Sequence, residues 1–334
     1  MAKKKKEDNS IQNLMDSINE SVGKGSVLSF EDENHDVETI SSGSIFLDKA
    51  LGGGFAVGRV IEIYGKESSG KTTIAMEAIV EYQKKYPDKV VGFLDVENAY
   101  DPNYGLNLGI DQSKNRFIFS QPESGEIAFR ILEKMVDSEQ VGLIIVDSVA
   151  AMTPQAEIDG DFGESKMGLH ARLMSQGMRK LIGKIKKSNT TVIFLNQTRM
   201  KIGISFGDPT VVPGGEALKF YASQRLQTFN RMGTKDGDGE LQSNIVKVKV
   251  KKNKIAPPHR EAEFQIRFGE GIDKITETIE VAVELDIIQK KGSYFSYDGT
   301  NIGQGLENTR AVLLDNVELH DIIKKEVINK TKVK

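Results

Sequence analysis

The sequence predicts an α/β fold built on a mostly parallel central sheet, with a one-sided helix at the N-terminus and a small α/β domain at the C-terminus. Three patterns predict it. Short strand-like runs alternate with helical segments between residues 58 and 196. One run, Val141, Gly142, Leu143, Ile144, Ile145 and Val146, is apolar almost without break, as expected of a strand covered on both faces. A glycine-containing turn at residues 65–72 stands between a strand and a helix.

In chain order, Ile11, Leu14, Met15, Ile18 and Val22 recur at helical spacing, so residues 11–22 should form a helix with one apolar face, ended by Gly23 and Gly25. Such a stripe packs either on its own domain or on a neighbouring copy. Residues 31–36 are acidic and polar and read as a loop. Strands are expected at 59–64, 89–95, 116–119, 141–147 and 190–196, and helices at 72–85, 125–138 and 166–187. Residues 153–165 and 198–215 break the alternation, and each follows a buried strand. Loops this long in a compact domain are usually functional or mobile. Strands at 224–230 and 244–252 are joined across a turn-rich connection at 235–239. Beyond Gly271 the texture changes, with helices expected at 274–286 and 318–329 and a short strand at 294–297. The expected division is therefore 1–35, 36–271 and 272–334.

Composition removes several function classes. The chain has no cysteine, which excludes disulfides, thiolate catalysis, zinc ribbons and iron–sulfur clusters and suits a reducing, cytoplasmic setting. His35, His170, His259 and His320 are too scattered for a histidine-rich metal site. No apolar run approaches the ~18 residues of a membrane helix, and residues 2–6 lead into polar sequence rather than a secretory core. The net charge of −3 does not announce nucleic acid. Lysines are nevertheless clustered, at 3–6, at 324–334, and with five in the nine residues 246–254. Local basic patches of this kind either neutralise phosphates or are simply solvated.

Gly65, Lys66, Glu67, Ser68, Ser69, Gly70, Lys71 and Thr72, followed by Thr73, match the full GxxxxGK[ST] pattern of a phosphate-binding loop. Its backbone N–H groups and the helix N-terminus are suited to cradle phosphates. Lys71 would reach the β- and γ-phosphates of ATP, and Thr72 would ligate Mg²⁺. A second magnesium carboxylate is expected at Asp147, where the apolar strand ends. Hydrolysis also needs a carboxylate to activate water. Asp95 and Glu97 stand at the end of another apolar strand, and Glu97 is the candidate.

In residues 147–154, 167–169, 196–203 and 217–223 the sequence resembles the bacterial RecA recombinases, with each piece in family order and spacing from about residue 23 to 271. The resemblance implies a RecA-type core: a DNA-dependent ATPase that polymerises on single-stranded DNA, pairs it with homologous duplex DNA and serves recombinational repair. It also implies a helical filament of self-associated subunits and, as a further partner in the SOS response, a repressor that self-cleaves. Residues matching Asp101 and Tyr104 hold the adenine, and the one matching Gln197 senses the γ-phosphate and couples it to the following loop. The two irregular stretches correspond to the family's DNA-binding loops, with Met167, Arg199, Lys201, Ile202 and Phe206 as contacts and Gly214 and Gly215 allowing close backbone approach to phosphates. At roughly 100° per residue, Arg172, Ser175, Gln176 and Arg179 share one helix face opposite Met174, Met178, Leu181 and Ile185, which supports DNA contact independently.

Lys252 and Lys254 fall on the strand parity of Val246, Val248 and Val250. Either the strand ends at Lys251, or the two ammonium groups face an anion at a subunit interface, since lysine on an apolar face is otherwise costly. The matching residues of RecA reach the neighbour's ATP. The chain departs from the family at Lys66 (commonly proline), Asn98 (histidine), Phe268 (tyrosine), Glu216 (asparagine) and in its basic rather than acidic tail. Competing readings are a DNA-binding scaffold that barely hydrolyses ATP and a P-loop kinase of a small substrate. Glu97, Lys252 and Lys254 argue against the first, and the two long loops and the absence of an obvious acceptor pocket argue against the second.

Overall fold

The computed structural model describes residues 2–23, 26–27, 37–161, 168–200, 210–235 and 239–332, with the side chains of 2–9, 200 and 332 outside the description. Two compact units divide the chain, 1–38 and 39–334. In the first, helix α1 spans Ala2–Val22, starting well before the stretch its apolar spacing marks. Ile11, Leu14 and Val22 are exposed on it. The side chains of Lys3, Lys4, Lys5 and Lys6 lie outside the described residues.

The second unit opens with a short pair, β1 (Thr39–Ile40) and β2 (Phe55–Ala56), flanking α2 (Ile45–Leu51). There follow β3 (Val60–Gly65), α3 (Lys71–Lys85), β4 (Val90–Asp95), α4 (Pro102–Leu108), β5 (Phe117–Ser120), α5 (Gly125–Asp137) and β6 (Val141–Asp147). After a single turn, α6 (Gln155–Ile158), come α7 (Leu169–Ser188) and β7 (Thr191–Gln197). A small antiparallel pair, β8 (Arg199–Met200) and β9 (Thr210–Val211), brackets residues 201–209, and α8 (Ala217–Tyr221) follows. The chain then runs β10 (Gln224–Met232), β11 (Ser243–Asn253), β12 (Glu261–Arg267), β13 (Gly271–Ile272) and α9 (Lys274–Glu284). It finishes with β14 (Ile288–Lys291), β15 (Tyr294–Tyr297), β16 (Thr300–Gln304), α10 (Leu306–Asp315) and α11 (Val317–Lys332).

Among the described residues the central sheet has nine strands, ordered β13-β12-β11-β10-β3-β7-β6-β4-β5. Strands β10, β3, β7, β6, β4 and β5 are parallel, and β11 to β13 add an antiparallel edge. Because alternate residues of a strand point to opposite faces, one apolar run supplies two cores. Ile61, Ile63, Leu143, Ile145, Ile193 and Leu195 join the cluster under α2 and α3. Val60, Ile144, Val146, Val192 and Phe194 join the cluster under α5 and α7. A third cluster, formed by Ile279, Ile288, Phe295, Ile302, Leu313 and Val327 among others, unites α9, α10, α11 and the three-stranded sheet β14-β15-β16.

The structure adds to the expectations at three places. The strand expected at Tyr294–Tyr297 is formed, as the middle of a three-stranded antiparallel sheet. Helix α10 and strand β12, unassigned in the sequence reading, are both formed. Strand β11 does not end at Lys251 but continues to Asn253.

The strand order creates the site. From β3 the chain skips two strand positions to reach β4, and β7 and β6 later fill the gap. The C-terminal ends of β3, β7, β6 and β4 thus lie side by side. In open α/β sheets this edge, at the reversal of strand order, is where ligands bind.

Candidate nucleotide and DNA sites

Gly65 ends β3 within the phosphate loop, and α3 begins at Lys71. Ser69 Oγ donates to the Lys66 carbonyl at 2.7 Å and shares a hydrogen bond with Thr228 Oγ1 at 2.6 Å, tying the loop to β10. Asn230 Nδ2 donates to the Ser68 carbonyl at 2.9 Å. Gly70 has φ 84°, a left-handed conformation that favours glycine, and a Cβ there would lie 2.9 Å from Ile266 Cδ1. Lys71 Nζ rests on the Lys66 carbonyl at 2.8 Å. Burial lowers the pKa of Lys71, against the opposing pull of Asp147, Glu97 and Glu67.

A pocket of about 320 Å³ lies over the loop, lined by residues 68–73 together with Tyr104, Asn244, Val246 and residues 266–269. Tyr104 donates from its hydroxyl to Thr73 Oγ1 at 3.2 Å. Phe268, half exposed, also lines the pocket. Asp101 does not line this pocket. Its carboxylate caps α4, accepting from the backbone N–H of Asn103 at 2.9 Å and Tyr104 at 3.3 Å.

The other three strand ends supply the polar groups beside the loop. Thr72 Oγ1 donates to Asp147 Oδ2 at 2.8 Å. Burial pushes the Asp147 carboxyl up to about 6, and the Thr72 hydrogen bond and Lys71 only partly offset it. The backbone N–H groups of Val96 and Glu97 donate to the Asp147 carbonyl at 2.6 and 3.1 Å. Gln197 Nε2 donates to Glu97 Oε1 at 2.6 Å, and Ser148 Oγ donates to the same oxygen. Asp95, the alternative to Glu97, is occupied elsewhere. It is buried and accepts from Ala99 N at 3.0 Å, Tyr100 N at 3.2 Å and Gln121 Nε2 at 3.1 Å. Sequence reasoning missed Ser148. A lone serine after a strand carries no pattern, and only the strand pairing of β4 with β6 could have drawn notice to it.

On α7, Met174, Met178, Leu181 and Ile185 are buried, while Arg172, Gln176 and Arg179 are exposed and Ser175 is half-buried. Arg179 Nε donates to the Ser175 carbonyl at 3.2 Å. Arg199 is exposed at the start of β8. Met167, Lys201, Ile202 and Phe206 lie outside the described residues. Gly214 and Gly215 have φ 91° and 71°, and a Cβ at Gly215 would sit 2.8 Å from Ala171 Cβ. Their smallness therefore lets this loop end pack on α7.

Lys252 and Lys254 require a correction. The register of β10 and β11 shifts, pairing Val250 with Leu226 but Lys252 with Arg225, so Lys251 is an extra residue in a β-bulge. The bulge flips the parity. Asn253, not Lys252, inherits the buried face of Val246, Val248 and Val250. Lys252 Nζ donates to the carbonyls of Lys219 at 2.7 Å and Phe220 at 3.0 Å. Burial lowers its pKa, aided by Lys254 and Arg225. Beside it, Arg225 Nε pairs with buried Glu62 at 2.5 Å, and Glu62 also accepts from Asn196 Nδ2 at 3.3 Å. Val246 lines the chain's own phosphate pocket. With Lys251 in the bulge, Lys252 lies five paired steps further along the strand, about 17 Å at roughly 3.4 Å per step.

The family model for the RecA N-terminal domain matches residues 9–273, and that for the RecA C-terminal domain matches 276–332. The protein RecA of Macrococcus caseolyticus is 49% identical over 319 residues, covering 95% of this chain and 89% of that protein. The protein RecA of Porphyromonas gingivalis is 50% identical over 312 residues, covering 93% and 90%. Among solved structures, the RadB recombinase aligns with a TM-score of 0.54 at 24% identity, over 70% of this chain and 98% of that one.

Proposed function

The chain belongs to the RecA family and is a DNA-dependent ATPase of recombination and repair, and we propose that it hydrolyses ATP at the edge formed by β3, β4, β6 and β7 while polymerised on single-stranded DNA. The observation that carries the reading is the convergence of Lys71, Thr72, Asp147, Glu97 and Gln197 on that edge. The phosphate loop and the N-terminus of α3 hold the phosphates, with Lys71 turning from the Lys66 carbonyl to the γ-phosphate. The base is held between Tyr104 and the wall carrying Phe268, and Asp101 supports Tyr104 as the cap of α4.

A hydroxyl and a carboxylate oxygen side by side suit a hard divalent cation, and burial of Asp147 leaves it short of positive charge. Thr72 and Asp147 would hold Mg²⁺, which supplies charge neutralisation on the β- and γ-phosphate oxygens. Glu97 takes the proton of the attacking water. Gln197 leaves Glu97 for the γ-phosphate and carries that change into residues 198–215.

DNA lies along the exposed face of α7 and the two loops. Arg172, Ser175, Arg179 and Arg199 meet backbone phosphates, and Met167, Lys201, Ile202 and Phe206 are further candidate contacts by the family resemblance. Subunits assemble head to tail. The exposed apolar face of α1 in one subunit seats on a neighbour's groove lined by Val90, Ile118, Ile131, Met135 and Val141. Lys252 and Lys254 serve the adjacent subunit's nucleotide, since neither lines the phosphate pocket of its own subunit. In this organisation residues 1–35 link subunits, 36–271 form the ATPase core and 272–334 an accessory domain. A homologous duplex and a self-cleaving repressor are the further partners, and the setting is cytoplasmic.

The test is steady-state ATP hydrolysis with and without single-stranded DNA. The reading expects strong stimulation by DNA at saturating ATP. Equal rates in both conditions contradict it.

A further inference from the structure

We propose that Ser148 is a positioning residue for hydrolysis, its hydroxyl fixing the carboxylate of Glu97 for attack, an inference that rests on Glu97 being the group that activates water. The main chain at Glu97 is already pinned, since the N–H groups of Val96 and Glu97 both donate to the carbonyl of Asp147. That does not orient the side chain. A glutamate has three rotatable bonds, and its head samples several rotamers unless something holds it. Two donors hold it here, and both reach Oε1.

The two donors differ in kind. Gln197 is half-buried at the end of β7, next to the irregular stretch, and is the group expected to move to the phosphate. Ser148 is fully buried. It follows the last residue of β6, and its carbonyl accepts from Ala151 N at 3.1 Å in the turn Val149–Ala151. Strand and turn fix its place on both sides. When Gln197 turns away, Ser148 remains the donor on Oε1, so proton abstraction falls to Oε2. In the step itself, a bond forms between the water oxygen and the γ-phosphorus as the bond to the ADP oxygen breaks. The water's proton passes to Glu97 Oε2, and the Ser148 hydroxyl keeps its own. A base contributes only when aligned within hydrogen-bond reach of that proton, and a small misplacement lowers turnover steeply.

The experiment uses the full chain with saturating single-stranded DNA and compares the parent with Ser148→Ala, Glu97→Ala and the double variant. A hydrogen bond to a charged group is strong enough that its loss should lower kcat about tenfold or more. KM for ATP, affinity for a fluorescent ATP analogue and the thermal midpoint should stay at parental values. The double variant should turn over no more slowly than Glu97→Ala alone, because Ser148 acts through Glu97. The proposal is overturned if Ser148→Ala keeps parental kcat, if its loss is matched by weaker nucleotide binding or a lower midpoint, or if the double variant falls further. Parental turnover by Glu97→Ala would overturn the base assignment and this proposal together. An inactive Glu97→Ala beside a fully active Ser148→Ala overturns this proposal alone.

Discussion

Strand β11 has two ends with different tasks. At one, Asn244 and Val246 form a wall of the phosphate pocket of their own subunit. At the other, Lys252 and Lys254 leave a bulge beside Arg225, with Lys252 resting on two backbone carbonyls. The first end belongs to a site assembled from strand ends of its own subunit. The second presents cations that do not line that pocket. On the proposed reading the difference makes nucleotide binding a property of one subunit and turnover a property of two.

The largest expected effects separate the two ends. Lys71→Ala should abolish both ATP binding and hydrolysis, since it removes the cation of the chain's own loop. Lys252→Ala should keep binding of a fluorescent ATP analogue to the isolated subunit yet lose roughly 100-fold or more of DNA-dependent turnover, the low end of what a cation supplied in trans contributes being nearer 1000-fold. Loss of binding in Lys252→Ala would collapse the comparison. Glu97→Ala should bind nucleotide and DNA but turn over at least about 100-fold more slowly.

A smaller effect is expected on DNA. Neutralising Arg172 should weaken binding to all single strands alike. It should reduce the slope of log affinity against log salt by about 0.7 for each DNA phosphate that is no longer neutralised. An unchanged slope and affinity would place α7 away from DNA.

The smallest effect concerns stability away from both ends of β11. Glu277 is buried, with Ser44 Oγ donating to it at 2.5 Å and Ile45 N at 2.8 Å. Burial pushes its carboxyl from 4.5 up to about 8. Across that window the folded chain keeps a proton that the unfolded chain has lost, so stability falls as pH rises. Glu277→Gln mimics the protonated form, its carbonyl accepting from Ile45 and its amide meeting the Ser44 oxygen. It should raise the thermal midpoint at pH 8.5 by roughly 2 °C or more and change little at pH 5. An equal shift at both pH values would show that the carboxyl does not titrate in the fold.

Much of the nucleotide site was legible in the sequence, and for a physical reason. Strands buried on both faces read as apolar runs, and the first polar residue after each run marks the strand end. Asp147 and the Asp95–Glu97 pair were read that way, and Gln197 from the family resemblance. Their convergence was not legible, because it depends on β7 and β6 inserting between β3 and β4, which no local pattern encodes. Asp95 accepts three N–H groups in the fold, which favours Glu97 as the base, and no local pattern of the sequence encodes those contacts. The parity of Lys252 was misread because a bulge adds one residue without leaving a mark in the alternation of valine and lysine. Strand β12 does carry that alternation, with Ala262, Phe264 and Ile266 buried. Strands β14 and β16 are short and mostly exposed, so hydrophobic periodicity is weak there.

The central claim is that Lys252 and Lys254 complete a neighbour's site. The most direct test mixes two inactive variants, Lys71→Ala and the double Lys252→Ala, Lys254→Ala, on single-stranded DNA and measures ATP hydrolysis. In a head-to-tail assembly some interfaces join an intact phosphate loop to intact lysines, so activity should return in part. If the lysines serve their own subunit, every subunit in the mixture has a defective site, and a mixture as inactive as either variant alone would contradict the account.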